Sequence, residues 1–158
     1  MTEGYHYTAC GLDYVYLQNG YDVHETKHGK GISVRNAGGL HDAIARAIIE
    51  HLPRLRGQEV RFLRAQLNLS QAGLAKILQT RRGTVARWEG RPNQAITGTA
   101  DTALRLFYAA KADGHATAQR IVELLTEIDE IEHKIAGVKE AVAFRETAGE
   151  WQPELMAA

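Results

Sequence analysis

The sequence predicts an α+β protein with a small N-terminal antiparallel sheet, a covering helix, an all-α domain of the five-helix type and a long C-terminal helix. Three observations predict this order. The first 38 residues are rich in Tyr, Val, Gly and Asn, apolar residues then recur at helical spacing as far as residue 112, and a regular apolar stripe follows. We expect domain limits at 1–53, 54–112 and 113–158.

Strand signals dominate the N-terminal part of the chain. Residues 12–17 alternate imperfectly between apolar and polar side chains and indicate a strand, residues 21–24 indicate its return strand, and residues 31–35 a third. The dipeptide Asn19-Gly20 predicts a hairpin turn between the first two strands, because both residue types accept positive φ.

A helix over residues 40–52 is predicted directly after these strands. A sheet this short needs another element to cover it, and this helix supplies one. Pro53 ends the helix because proline cannot continue it. The apolar face consists of Leu40, Ile44, Ala47 and Ile48.

Two further helices frame the middle of the chain. The first covers residues 57–67, and the last covers residues 100–112. A loop over residues 91–99 precedes the last helix, and its backbone N–H groups together with Arg91 are candidates for phosphate binding. The core-facing residues of the two helices are Val60, Leu63, Leu67, Ala103, Leu104, Phe107 and Tyr108.

Residues 69–91 are the most informative stretch of the sequence. Ser70 is a good N-cap, because its hydroxyl can accept from the unpaired backbone donors of a first helical turn. Leu74, Ile77 and Leu78 follow at helical spacing and predict one buried face. The apolar run then breaks at Gln79-Thr80, which ends a short helix.

A second short helix is predicted over residues 82–89, with Val85 and Trp88 pointing inward. Two short helices joined by a few residues cross steeply, which is the helix-turn-helix arrangement. Arginine can make two hydrogen bonds to guanine or one strong contact to phosphate. The outward face of the second helix holds Arg81, Arg82, Gly83 and Arg87.

This stretch resembles the Xre-type (phage repressor-like) helix-turn-helix family. The resemblance is carried by Ser70-Gln71, Leu74-Ala75, Leu78, Thr84-Val85, Arg87-Trp88-Glu89 and Gly90. It implies that Gln71 contacts phosphate or base and that Arg82, Gly83 and Arg87 face base edges. It also implies an ion pair between Glu89 and Arg64, with Trp88 in the core.

Three positions depart from the family pattern. The turn position that is usually glycine is Gln79, which predicts strain in the turn. The N-cap of the second helix, usually Ser or Thr, is Arg81. Gly83 has no side chain to read a base, and its backbone is therefore expected to approach DNA closely.

A wider resemblance covers roughly residues 5–110. The segments YHYTACGLDYVYLQNGY, GLHDAIARAII and LRGQEVRFLRAQLNLSQ are similar to the YgiT/MqsA-type proteins. Those proteins join a β-rich, often zinc-binding module to an Xre-type domain, and many are antitoxins or autorepressors. The cysteine pairs of the zinc module are missing here, because Cys10 is the single cysteine of the chain.

Other chemistry is weakly indicated. The N-terminal histidines and Cys10 lack the paired spacing of a structural zinc site, so we expect no metal and no cofactor. The single cysteine also excludes an internal disulfide. The tyrosines at positions 5, 7, 14, 16 and 21 indicate sheet packing, with a ligand- or RNA-stacking face as the alternative. No catalytic motif is present, and we expect no enzyme activity.

The net charge of zero conceals a strong segregation of charge. Residues 54–91 hold nine Lys/Arg against two acids, whereas residues 113–158 hold ten acids against four bases. A basic block that coincides with the helix pair is typical of a DNA-binding surface, with solvated helix faces as the alternative.

The acidic segment carries an apolar stripe at alternating spacings of three and four, which is typical of a coiled-coil seam. We expect it to form a long helix that pairs with a second subunit, with packing against its own chain as the alternative. Residues 145–158 are expected to be a frayed tail. The stripe consists of Ile121, Leu124, Ile128, Ile131, Ile135, Val138 and Val142.

The sequence therefore predicts a cytoplasmic, dimeric repressor or autorepressor that binds an inverted-repeat operator in double-stranded DNA, with no membrane partner. Arg82, Gly83 and Arg87 are expected to face bases. An antitoxin whose N-terminal module neutralises a protein partner, a toxin, is the alternative function. The residues expected to contact phosphate and fix the register are Ser70, Gln71, Arg81, Thr84 and Arg91.

Overall fold

Six strands and five helices follow one another in the part of the chain that the structure, a computed structural model, describes, namely residues 4–112 and 142–155. The mixture of elements confirms the predicted α+β class. The strands are β1 (Tyr5–His6), β2 (Val15–Leu17), β3 (Tyr21–Thr26), β4 (Gly29–Val34), β5 (Val142–Thr147) and β6 (Glu150–Leu155), and the helices are α1 (Ala37–His51), α2 (Gly57–Gln66), α3 (Gln71–Ile77), α4 (Arg82–Glu89) and α5 (Gly98–Ala112).

The chain divides into two units. The first comprises Met1–Ile44 and Val138–Ala158, and the second comprises Ala45–Gly137. Every strand therefore belongs to the first unit, and α2 to α5 belong to the second. The first unit therefore combines residues from the N-terminal and the C-terminal parts of the sequence.

The main sheet of the first unit has the strand order β1-β2-β5-β6 and is mixed. β2 pairs antiparallel with β1 and parallel with β5, and β5 pairs antiparallel with β6. The parallel register places Val15 opposite Val142 and Leu17 opposite Phe144. The predicted small N-terminal antiparallel sheet is confirmed in part, since the strands expected at 21–24 and 31–35 pair antiparallel as β3 and β4. The strand expected at 12–17 instead belongs to the mixed sheet, where a parallel pair joins strands that are distant in sequence.

The hairpin predicted at Asn19-Gly20 is also wrong. The Asn19 side chain lies beside β5, where it donates to the backbone carbonyl of Glu146 at 3.1 Å and accepts from its N–H at 2.8 Å. Gly20 has φ of +80°, and a Cβ atom there would lie 2.4 Å from the Trp151 ring. Asn19 thus extends the β2–β5 pairing, and the chain leaves the sheet at Gly20.

The C-terminal residues form a hairpin instead of the expected frayed tail. β5 and β6 pair from Val142 opposite Leu155 to Thr147 opposite Glu150. Phe144 and Trp151 are buried, and burial of such large apolar side chains stabilises the hairpin. Val142 therefore begins a strand, and the predicted long helix cannot include residues 142–155. The other stripe residues, Ile121, Leu124, Ile128, Ile131, Ile135 and Val138, lie outside the described residues.

β3 and β4 form a separate two-stranded antiparallel sheet, which we call the ribbon (Tyr21–Thr26 and Gly29–Val34). Within the described chain, none of the residues of these two strands is buried. The Arg35 N–H donates to the Gly20 carbonyl at 2.9 Å, which closes the base of the ribbon.

The helices of the second unit surround an apolar core. α1 begins three residues earlier than predicted, α5 two residues earlier, and α2 lies within one residue of its predicted limits. The expected inward position of Ile77 was wrong, since Ile77 is 37% exposed and Ala75 occupies the buried face beside Leu74. The buried apolar residues include Ile48, Ile49, Leu55, Val60, Leu63, Leu67, Leu74, Val85, Ile96, Leu104 and Tyr108.

A buried ion pair joins α5 to the end of α1 within this core. The Arg105 side chain is fully buried, and its Nε donates to Asp101 Oδ1 at 2.5 Å. Its Nη1 donates to the Ile49 carbonyl at 3.0 Å, and Asp101 Oδ2 accepts from the Leu55 N–H at 2.8 Å. A buried charge is tolerated only when it is paired and hydrogen-bonded, as both charges are here.

Candidate nucleic-acid interface

α3 and its termination are built from local signals. Ser70 caps α3, because its Oγ accepts from the Gly73 N–H at 2.9 Å. The helix ends at Ile77, and Gln79, the residue after the C-cap Leu78, has φ of +51°. The Gln79 and Thr80 N–H groups donate to the carbonyls of Lys76 and Ala75, at 3.3 and 2.8 Å. This is a Schellman termination, which usually contains glycine, and Gln79 holds its left-handed position although it carries a Cβ atom.

α4 begins at Arg82 and is anchored by Val85, which is fully buried. Arg81 holds the N-cap position in an extended conformation, and its side chain makes no capping hydrogen bond. The N-cap residue therefore gives the first turn of α4 no side-chain acceptor, and the N-terminus of a helix favours an anion.

The exposed surface of α4 is basic. Arg81, Arg82 and Arg87 are exposed, and Thr84 is half-buried. Gly83 is also exposed, and a Cβ atom there would meet nothing within 4 Å. Glycine in a helix interior costs roughly 1 kcal/mol relative to alanine, and neither space nor backbone conformation requires it at this position.

Glu89, at the end of α4, forms hydrogen bonds that connect three helices. Its carboxylate accepts from Arg64 Nε at 2.5 Å and Nη2 at 3.1 Å, which is the ion pair that the family resemblance implies. It also accepts from Gln71 Nε2 at 2.8 Å. Arg64 Nη1 donates to the Leu69 carbonyl at 2.9 Å. This cluster connects α2, the start of α3 and the end of α4.

The pKa of Glu89 is lowered by this cluster. Burial acts to raise the pKa of the carboxyl group, but the hydrogen bonds from Arg64 and Gln71 and the charge of Arg64 outweigh burial and hold the pKa below its ordinary value. Gln71 thus helps to hold α4 in place, and its side-chain N–H group donates within the chain.

Gly57 fixes the end of α4 from the other side, a role that the sequence reasoning missed. A Cβ atom at Gly57 would lie 1.8 Å from the Trp88 carbonyl oxygen and 2.6 Å from that of Arg91. The two backbones therefore touch where α2 begins, and no side chain fits between them. A glycine at a helix start was the available signal, but glycine is common in loops, and the signal does not specify what it touches.

The loop after α4 is held by backbone hydrogen bonds. The Gly57 and Gln58 N–H groups donate to the Gln94 and Pro92 carbonyls, each at 3.2 Å. Arg91 is exposed, and its Nη1 donates to Gln94 Oε1 at 3.3 Å. The loop therefore presents Arg91 from a defined position beside the end of α4.

The residues proposed from sequence fall into two groups. One group is exposed, and the other, which we call the framework, holds α2, α3 and α4 together. Arg81, Arg82, Gly83, Arg87 and Arg91 are exposed, as is Ser70 beside the start of α3. The framework residues are half-buried and consist of Arg64, Gln71, Trp88 and Glu89.

The first unit holds Cys10 and most of the histidines. Cys10 Sγ donates to the Tyr7 carbonyl at 3.4 Å, and burial raises the pKa of the thiol, which disfavours the reactive thiolate. Tyr7 Oη and His41 Nε2 are hydrogen-bonded at 2.9 Å. Among residues 4–112 and 142–155, no group of three or more His, Cys, Asp or Glu side chains is placed to hold a metal ion.

Comparisons with known proteins give no relative: no family model, curated protein or solved structure matches the chain. Within the described residues, the helices are too short or too polar to cross a membrane.

Proposed function

We propose that this protein is a sequence-specific regulator that binds double-stranded DNA through α4. The observation that carries the proposal is the exposed basic surface of α4, formed by Arg81, Arg82 and Arg87 on a helix whose opposite side is anchored by Val85. The major groove admits an α-helix, and arginine is the commonest residue to recognise guanine there. α3 and α4 are the helix-turn-helix pair of this proposal.

The framework supports the proposal because base reading needs a rigid helix. Glu89 holds the C-terminal end of α4 through Arg64 and Gln71, and the contact with Gly57 fixes the same end. A helix held in this way can present side chains within the narrow tolerance that direct readout needs.

Different residues then have different tasks. Arg82 and Arg87 read base edges, with guanine O6 and N7 as the expected acceptors. The uncapped first turn of α4 and Arg91 bind phosphates, which position the protein without reading sequence. Gly83 leaves space for the DNA to approach the α4 backbone, which accounts for a glycine that the fold does not need.

Regulation follows from occupancy of the operator. A dimer places two α4 helices about one DNA turn, ~34 Å, apart, so the operator is an inverted repeat. A dimer seated on a promoter excludes polymerase, and repression is the expected result. The antitoxin alternative concerns the first unit and stays a prediction.

The test is a selection from random duplexes followed by affinity measurements on the recovered site. Arg87→Ala is expected to cost ~1–3 kcal/mol on that site and to relax the preference at one base pair. Arg91→Ala should weaken binding to all DNA sequences alike. It should also reduce the slope of the logarithm of affinity against the logarithm of salt concentration by about one.

Lys111→Ala is the matched control, because it removes an equal charge from an exposed position at the end of α5. We expect it to leave the base preference unchanged. If Arg87→Ala bound the selected site with unchanged affinity and preference, α4 would not be the reading helix.

A further inference from the structure

The ribbon formed by β3 and β4 has two chemically different faces. Side chains alternate along a strand, so cross-strand pairs at every second position share a face. The register pairs Tyr21 with Val34, Val23 with Ile32, and Glu25 with Lys30, and these three pairs share one face. We call these six residues the apolar face. The other face holds Asp22, His24, Thr26, Gly29, Gly31 and Ser33.

The polar face is satisfied within the ribbon. His24 Nε2 and Ser33 Oγ are hydrogen-bonded at 2.8 Å, and Thr26 Oγ1 donates to the Gly29 carbonyl at 2.7 Å. Arg35 and Asp22 form an ion pair at 3.6 Å. These polar groups therefore do not need a partner.

The apolar face, by contrast, is partly exposed to solvent. Val23 is 54% exposed, and Ile32 and Val34 are half-buried. Tyr21, at the base of the face, is half-buried because its ring lies 5.3 Å from the ring of Tyr5. An isolated two-stranded ribbon is marginally stable in water. A contiguous apolar patch on a ribbon of this kind is typical of an interaction surface.

The charged residues at the free end of the apolar face indicate which partner fits it. Glu25 and Lys30 lie directly opposite each other at the free end of the apolar face. A two-fold axis parallel to the strands places β3 of one copy over β4 of the other. Each Glu25 then faces the Lys30 of the second copy, and each Val23 faces an Ile32. Between two copies of this face, apolar groups meet apolar groups and opposite charges meet, as an isologous interface requires.

We propose that the apolar face of the ribbon binds a second copy of this chain, face to face about that two-fold axis. The inference rests on the dimeric part of the proposed function and names the surface that forms the dimer. DNA is a poorer occupant, because the face carries one acid and one base and no excess of positive charge. Six residues from each copy make a small interface, so we expect a micromolar dimer.

Sedimentation equilibrium of the full chain without DNA, from about 1 to about 200 µM, measures this association. Val23→Lys is expected to raise the dimer dissociation constant at least about ten-fold. The control is His24→Lys, an exposed neighbour on the polar face, which should change the dissociation constant less than about two-fold. Circular dichroism verifies that each variant is folded.

A charge exchange separates contacts between copies from contacts within one copy. Glu25→Lys makes the tip of the face positive and Lys30→Glu makes it negative, so each variant alone should associate at least about ten-fold more weakly. An equimolar mixture of the two variants should recover the wild-type dissociation constant as a one-to-one heterodimer, because every facing pair is again of opposite charge.

Three outcomes would overturn the proposal: a wild-type chain that stays monomeric throughout, a dimer insensitive to Val23→Lys, or a mixture that does not recover association. A dimer held by the 113–141 stripe gives the second outcome. DNA binding is scored separately on a single half-site with the Val23→Lys chain. Loss of binding there by Arg87→Ala supports the proposed function whether or not the ribbon forms the dimer.

Discussion

Gly57→Ala tests whether α4 is held as described, because it adds one methyl group at the contact between α2 and α4. The added Cβ would lie 1.8 Å from the Trp88 oxygen and 2.8 Å from the Trp88 carbonyl carbon. Both are backbone atoms, so no side chain can rotate away. The end of α4 must therefore move by about 1.5 Å to restore an ordinary carbon–oxygen contact.

The expected cost follows from what that movement breaks. Overpacking alone costs about 1–3 kcal/mol. Glu89 follows Trp88 directly, and its hydrogen bonds from Arg64 and Gln71 are charge-assisted, worth about 1.5–3 kcal/mol when lost. We expect Gly57→Ala to lower the free energy of unfolding by about 3 kcal/mol, allowing for partial relaxation.

Gly83→Ala is the matched control, since it makes the same substitution in a neighbouring helix. Nothing lies within 4 Å of the added Cβ there, so the fold should gain about 0.5–1 kcal/mol from the better helix former. Urea unfolding followed by circular dichroism measures both variants. Gly57→Ala within about 0.5 kcal/mol of wild type would refute the close contact. In the DNA assay the stabilised Gly83→Ala chain should bind its selected site more weakly.

Three further predictions concern single residues of the second unit. Gln79→Gly should raise the free energy of unfolding by about 0.5–1 kcal/mol, because φ is +51° and glycine avoids the Cβ penalty; a loss of stability in urea titration would contradict it. Because the folded-state pKa of Glu89 lies below its ordinary value of 4.5, its contribution to stability is present above that value and is lost as the pH falls through the lowered pKa. The free energy of unfolding of Glu89→Gln should therefore fall less steeply at acid pH than that of the wild type. The same fall in both would contradict a stabilising role for the Arg64–Glu89–Gln71 cluster. Arg105→Ala should cost about 3–5 kcal/mol in urea unfolding, because it leaves the Asp101 carboxylate buried without its partner, and Arg105→Lys should not restore it, since one ammonium group cannot span Asp101 and the Ile49 carbonyl.

The helices of the second unit could be predicted because their signals are local. Ser70 caps α3, and the buried spacing of Leu74 and Val85 lies within each helix. The break at Gln79 marks the end of α3 in sequence as it does in the structure. Local capping and periodicity determine such short elements, so a single sequence carries them.

The sheet could not be predicted in the same way, because its pairing is distant and its turns are atypical. β2 and β5 are separated by more than a hundred residues. The turn of the C-terminal hairpin is Ala148-Gly149, with φ of +53° and +81°. Alanine is not a residue that favours this turn, whereas Asn19-Gly20 favours it and is used elsewhere. Both segments make tertiary contacts that a local turn preference does not encode: Gly20 lies against the Trp151 ring, and the Gly149 carbonyl accepts from Asn36 Nδ2 at 3.0 Å.

The candidate site was predictable in its exposed charges and not in its framework. Arginines on the outer side of a short helix follow from periodicity alone. The contact of Gly57 with the Trp88 carbonyl depends on how two helices meet, and helical spacing within α2 or α4 does not contain that information.

Protection of DNA upstream of the protein's own gene tests the central claim most directly. A footprint with the full chain should show two protected half-sites in an inverted repeat, centred about one helical turn (~34 Å) apart, and Arg87→Ala should weaken the protection of both. Uniform or absent protection, at concentrations where circular dichroism shows a folded chain and a basic control protein gives a footprint on its own site, would contradict sequence-specific binding by α4.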